Sequence, residues 1–217
     1  MSIVTTRVWD LPVRLFHWAV VALVAFLWWS GEEGGMALKY HMWAGYAVLS
    51  LVLFRVAWGF VGSASARFPA FVRGPRAVFA SLRELVSARP LHIASHNPLG
   101  GWMVLALLLC LLVQTSSGLF ANDDLFNEGP LYKYAGKALS DTLTAVHHLN
   151  FTVLLGLVAL HVAAVIWHRL RKGERLVAAM VHGRKPIEGS PPTLLRAWRA
   201  LPWLAASATL VAVVVNL

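Results

Sequence analysis

Nine histidines fall in a chain of 217 residues, and four of them, His17, His41, His147 and His161, lie within or at the ends of long apolar runs. An ionisable side chain in hydrocarbon is costly and marks function by default. A neutral imidazole can offer one nitrogen to a metal while the other keeps its proton, so histidines gathered in an apolar interior suit metal ligation. His147 and His161 are fourteen residues apart. At about 100° per residue this is about 1400°, some 40° short of four turns, with a rise of about 21 Å. On a helix they share one face at two depths. His148 lies about 140° away from His161 around the same helix and is the poorer partner. Arg55 follows His41 by fourteen residues and lies on its face; Arg14 stands one turn before His17. Gly45, one turn after His41, leaves room for the edge of a flat ligand, and Gly100, Gly101 and Gly156 are read the same way.

The elements that must position these residues follow from composition. The chain is 58% hydrophobic and 13% charged with a mean hydropathy of +0.64, where soluble domains carry about 25% charged residues. Residues 15–31, 40–66, 90–122, 142–168 and 200–217 each supply the roughly 17 to 25 apolar positions of a spanning helix. In a bilayer only helices or closed barrels satisfy the backbone, and no alternating strand pattern is present. The expectation is an all-α integral membrane protein. Four of these runs lie within residues 1–186, and residues 187–217 are read as a linker and a fifth hydrophobic helix. The single Cys110 excludes disulfide frameworks, c-type haem attachment and cysteine-ligated clusters.

The net charge of +9 is distributed by loop. Fifteen Lys or Arg lie before the first span, between the second and third, and after the fourth; the other connections hold Lys39, Lys133 and Lys137 against Glu32, Glu33, Asp123, Asp124, Glu128 and Asp141. The positive-inside rule puts the N-terminus in the cytoplasm, so the basicity reports topology and not nucleic-acid binding. The first span lacks a small-x-small cleavage site and is read as retained. Residues 75–89 have helical apolar spacing with Arg76, Arg83 and Glu84 on other faces, as in a helix lying on the inner leaflet. His92, His96, His168 and His182 are read as surface residues.

With alternating spans, His17 meets His161 at the inner level and His41 meets His147 at the outer. Each pair of facing imidazoles suits an iron porphyrin, whose flat macrocycle fills the space between helices. Arg55 and Arg14 are placed to meet propionates.

Arg14-Leu-Phe-His17-Trp18, His41-Met-Trp-Ala-Gly45-Tyr46 and the fourth span with His147 and His161 resemble the bacterial cytochrome b561 and nickel hydrogenase b-type cytochrome family over about residues 7 to 186. The resemblance implies a four-helix bundle with two b haems, the same four histidines as axial ligands, and electron transfer between an outside redox partner and the quinone pool. His96-Asn-Pro-Leu-Gly-Gly-Trp102 and Gly118-Leu-Phe-Ala-Asn-Asp-Asp124 look most like the branch of hydrogenase cytochrome b subunits, some of which accompany periplasmic cytochromes c. A quinone site near Arg55 or the basic inner surface belongs to the same family-level expectation. The fifth hydrophobic segment departs from the family pattern.

The leading expectation is therefore an electron-transfer subunit of an oxidoreductase system in the bacterial inner membrane. A periplasmic cytochrome c or hydrogenase-like protein lies on one side and quinone on the other. A stand-alone superoxide:quinone oxidoreductase wants a basic outer funnel, and the outer loops are acidic. A metal or proton transporter wants a polar path, and only Gln114, Thr115, Ser116 and Ser117 offer one.

Overall fold

The computed structural model describes residues 3–85, 93, 95–125 and 127–217. Strand β1 (Ile3–Arg7) precedes helices α1 (Leu11–Glu33), α2 (Ala37–Val61), α3 (Phe68–Phe71), α4 (Pro75–Leu85), α5 (Pro98–Gly118), α6 (Tyr132–Lys172) and α7 (Leu176–His182); strand β2 (Arg184–Glu188) and α8 (Leu201–Val215) follow. A 3-10 turn, Ala197–Ala200, leads into α8. Five of these helices are long and apolar enough to cross a membrane: α1, α2, α5, α6 and the last with its leading turn. Large apolar side chains stand exposed along them, among them Leu109, Leu149 and Leu160. So much bare apolar surface is the mark of a helix bundle solvated by lipid.

The expected ends of the spans shift. Helix α5 starts at Pro98, eight residues after the expected start of the span, and there the Asn97 side chain accepts from the Gly100 amide at 2.6 Å. Helix α6 is broken at Gly136, whose φ of 69° and ψ of 168° suit glycine alone. Residues 137–172 then continue without a break, about 54 Å of helix against about 30 Å of hydrocarbon. The amphipathic α4 ends at Leu85; the rest of the expected interfacial helix, Val86 to Arg89, and His92 lie outside the described residues.

The chain divides into two compact units, one of Met1–Leu15, Val56–Ala106 and Leu157–Leu201, the other of Phe16–Arg55, Leu107–Gly156 and Pro202–Leu217. In the first, β1 and β2 pair antiparallel with Val4 opposite Ile187. This ribbon was not legible as strands, and β2 runs through the point where the sequence reading divides the chain. Ile187 is fully buried in a cluster with Val8, Trp9 and Ala179. Gly183, left-handed at φ 77°, closes α7, and its carbonyl accepts from Val8 at 2.8 Å. Arg14 donates to the carbonyls of Met180 and Val181, so its guanidinium holds the C-terminal end of α7, where a cation is favoured.

Two more histidines in this unit differ from expectation. His168 is buried at 7% exposure and lies 3.1 Å from Glu174; His96 packs between Trp9 and Phe71 with ring centres at 4.6 and 4.9 Å. Neither is a surface residue. Gly101 is also reassigned: a Cβ there would sit 2.7 Å from the Phe71 carbonyl oxygen, so this glycine admits α3 and not a porphyrin edge. At Gly100 the close neighbour is Asn97.

Asp10 caps α1, accepting from the Val13 amide at 2.9 Å, and its other oxygen takes the Trp58 indole N–H at 2.9 Å. Both Asp10 and Trp58 are buried. Asp10→Ala is expected to lower stability by about 2–3 kcal/mol, since it removes a cap and orphans a buried donor. Asp10→Asn keeps one acceptor and turns the other into a donor facing an N–H, so it should recover only part of the loss in a thermal melt in detergent.

In the second unit, α8 packs through Val211 on Leu49 of α2 and Leu119, the residue after α5. The Leu217 carbonyl accepts from Lys133 at 2.7 Å and from the Tyr134 hydroxyl at 3.0 Å, so α8 ends beside the start of α6. The connection from α5 to α6 is built on its own side chains. Asp123 accepts from the Leu125 and Asn127 amides, and Asn122 donates to Ser140 at 2.6 Å.

Candidate functional site

His41 and His147 lie in the second unit, and their ring centres are 6.3 Å apart. Each ring is fixed the same way from a different neighbouring helix. His41 Nδ1 donates to the Leu27 carbonyl at 3.0 Å, with the Ser30 hydroxyl 3.2 Å away. His147 Nδ1 donates to the Gln114 carbonyl at 2.9 Å, with the Ser117 hydroxyl at 3.3 Å. A carbonyl can only accept, so the proton is on Nδ1 and the lone pair on Nε2 in both rings. This is the tautomer that a metal-bound histidine adopts when a backbone acceptor orients it.

The two cradles repeat in sequence. Leu27, Ser30 and Gly31 stand at the same spacing as Gln114, Ser117 and Gly118. The serine hydroxyls fold back onto the same carbonyls, at 3.3 Å for Ser30 to Leu27 and 3.1 Å for Ser117 to Gln114. The glycines let the rings lie against the helices: a Cβ on Gly31 would meet His41 Cε1 at 3.4 Å, and one on Gly118 would meet His147 Cε1 at 3.0 Å. Sequence reasoning gave none of these six positions a role beside a histidine: Gln114 and Ser117 entered only as polar residues of span three, and Gly118 only as the start of a family-like tract. The recurrence of Ser-Gly toward the ends of spans one and three was the available signal, and it acquires meaning only beside a facing histidine.

The two rings line a cavity of about 490 Å³ together with Gly45, Leu111, Phe151 and Leu154. That volume lies within the roughly 300–1,000 Å³ of cofactor pockets. At Gly45 a Cβ would meet nothing within 4 Å, the open space expected there. Asn150, one turn beyond His147, donates to the Gln114 side chain at 2.7 Å and the Cys110 carbonyl at 2.9 Å, so α5 and α6 are bolted together beside the ring. His148 is exposed and its ring lies 6.2 Å from that of His147.

The arrangement can be tested against a porphyrin iron. Two imidazoles that held one metal ion through Nε2 would keep their ring centres about 6.4–6.6 Å apart at most, from a bond of about 2.0–2.1 Å and about 1.2 Å from nitrogen to ring centre on each side. The observed 6.3 Å agrees. The donor set fits as well: two neutral imidazoles with oriented Nδ1–H groups in an apolar chamber.

The other expected residues are placed as follows. His17 is half-buried on α1, edge-on to Trp18 with ring centres at 4.9 Å. His161 is half-buried on the unbroken part of α6, four turns after His147. His17 and His161 fall in different units, and their pairing is a matter of proposal. Arg55 is buried in α2. Arg14 makes the α7 contacts described above.

The chain matches the family model described as prokaryotic cytochrome b561 over residues 8–183. It is 26% identical over 221 aligned positions to a protein of Cupriavidus necator named "Probable Ni/Fe-hydrogenase B-type cytochrome subunit", covering 86% of this chain and 89% of that one. No solved structure matches it. The five long apolar helices, the oriented imidazole pair and a family match across most of its length agree: the chain belongs to the prokaryotic cytochrome b561 family, the membrane-embedded b-type cytochromes.

Proposed function

We propose that this cytochrome carries electrons across the membrane between a redox protein on the side of the acidic connections and the quinone pool on the other, through two haems b. His41 and His147 hold one haem, and His17 and His161 hold the second. The observation that carries the reading is the pair of rings at 6.3 Å, each hydrogen-bonded to a backbone carbonyl through Nδ1 so that Nε2 keeps its lone pair. Haem iron supplies one-electron chemistry between its ferrous and ferric states. The chain's own part is to fix the two imidazoles, exclude water with Leu111, Phe151 and Leu154, and tune the site through the Nδ1 hydrogen bonds. Gly45 makes room for the macrocycle, and Arg55, buried on the inner part of α2, meets a propionate of the inner haem or the quinone. Arg14 is left mainly with its structural role at α7.

A pyridine haemochrome assay against protein mass is expected to return two haems per chain. A ratio near one would remove the inner pair.

The basic connections favour a cytoplasmic N-terminus in a bacterial inner membrane. Helix α8 then ends on the outer side with Tyr134 and Lys133. The acidic face there is less negative than a count of residues suggests. Lys137 bridges Asp124 and Asp141, the latter at 2.8 Å, and Asp123 holds its own loop. Glu32, Glu33 and Glu128 are exposed and carry the field. A basic periplasmic cytochrome c would be steered by it; a hydrogenase-like partner, the role in the name of the Cupriavidus relative, would be bound permanently. Glu32→Gln with Glu33→Gln is expected to slow haem reduction by a soluble basic donor several-fold at low salt. The difference should fade as the screening length falls to about 10 Å near 0.1 M. Stopped-flow rates indifferent to both changes would favour the permanent subunit. The acidic face also disfavours a stand-alone superoxide oxidoreductase.

A further inference from the structure

A second cavity, about 800 Å³, lies in the first unit between the end of α6, α7 and the β-ribbon. Arg7, Lys172, Arg175, Arg184 and Lys185 line it against a single carboxylate, Glu174. We infer that this cavity seats the anionic headgroup of a membrane phospholipid.

Two observations of different kind point to an anion. The first is the register of the ribbon, which sets Arg7 directly opposite Arg184. Like charges on facing positions of an antiparallel pair are destabilising, and an anion between them reverses the sign of that contact. The second is the state of the surrounding groups. Glu174 sits 3.1 Å from His168 in a pair that is nearly fully buried, so its charge is shared before it reaches the cavity. Lys172 is buried with its ammonium on the Glu84 carbonyl at 2.9 Å. Burial holds the Lys185 ammonium below its ordinary range, and the nearby Glu174 only partly offsets this. A phosphate would relieve the whole group.

The choice of a lipid follows from position along the chain. The cavity begins at Lys172 and Gly173, where the spanning helix α6 ends. About one and a half turns earlier the exposed Trp167 donates to the Leu85 carbonyl at 2.9 Å and carries Arg171 over its ring at 5.5 Å. Trp with an adjacent Arg marks headgroup level. The cavity therefore opens at the depth where lipid phosphates lie, and basic pockets of this kind on the inner side hold anionic headgroups.

The test uses the full-length, haem-loaded protein in uncharged detergent. Native mass spectrometry and thermal melts follow titration with phosphatidylglycerol, phosphatidylcholine or inorganic phosphate. Phosphatidylglycerol should be retained and raise the Tm, and phosphatidylcholine should do neither. R7Q/R184Q should bind phosphatidylglycerol about thirtyfold more weakly, R184K should bind it nearly as the parent does, and R76Q on α4 should be unchanged. Without lipid, R7Q/R184Q should melt no lower than the parent, since a repulsive pair is gone. The inference is overturned if R7Q/R184Q retains phosphatidylglycerol like the parent, if R76Q loses it equally, or if R7Q/R184Q without lipid melts well below the parent. Equal protection by inorganic phosphate would overturn the lipid assignment. None of these results bears on the haem reading, which the haem spectrum reports separately.

Discussion

His147→Ala is expected to lower the haem content from two per chain to one, while His148→Ala leaves it at two. The neighbours differ by one residue, about 100° on the helix, and that angle decides the outcome. His147 faces His41 across 6.3 Å and is fixed through Nδ1 to the Gln114 carbonyl, whereas His148 is exposed. Loss of one axial imidazole leaves His41 as a single ligand in a chamber that water can then enter, so any haem that stays should turn from six-coordinate low-spin to high-spin. The optical and electron paramagnetic resonance spectra distinguish loss from spin change. If His148→Ala empties the site and His147→Ala does not, the register of α6 is wrong by one residue and the assignment fails. A double His41→Ala, His147→Ala protein should still hold the inner haem, because the proposed inner ligands, His17 and His161, are untouched.

That prediction needed little more than the sequence, and the reason is physical. The fourteen-residue spacing of His147 and His161 survives into the structure because α6 has no break after Gly136. The membrane spans were legible because hydropathy over about twenty residues measures what a bilayer measures. Their ends were not, since apolar composition does not stop where the backbone does; α5 begins at an Asn97 cap that no hydropathy window detects. The ribbon was hidden for a different reason. Ile3–Arg7 and Arg184–Glu188 become strands only by meeting each other: each is five residues long, and Arg184–Glu188 carries three charges and a proline. The surface reading of His96 and His168 failed on the same ground, because Trp9, Phe71 and Glu174 come from distant parts of the chain. The candidate ligands could be named from the sequence, and their surroundings could not. Four histidines could be selected by depth and face, yet what makes two of them usable, the carbonyls of Leu27 and Gln114 with Ser-Gly beside each, lies on other helices.

Those supporting positions give the second large effect: Gly118→Val is expected to empty the outer site as completely as removing the ligand. Gly118 is the last residue of α5, and a Cβ there would stand 3.0 Å from His147 Cε1 and 3.2 Å from Nδ1. The imidazole is pinned from behind by its 2.9 Å bond to Gln114, and Asn150 ties Gln114 to the same helix as the ring, so it cannot retreat without breaking that network. A branched side chain must either turn the ring away from its place opposite His41 or break the Nδ1 bond that sets its tautomer. The equivalent change in the other cradle is milder, because a Cβ on Gly31 would meet His41 at 3.4 and 3.5 Å, ordinary van der Waals contact. Gly31→Ala should therefore keep both haems, and Gly118→Ala should keep two with a shifted outer-haem potential. The backbone offers an internal control. Replacing a helical glycine by alanine ordinarily favours the helix by about 0.5–1 kcal/mol, so Gly118→Ala should perturb the haem without lowering the melting temperature of the bundle. Redox titration with haem quantification is the measurement. Two unaltered haems in Gly118→Val would mean that His147 is not held against α5 when the iron is bound, and the cradle would lose its role.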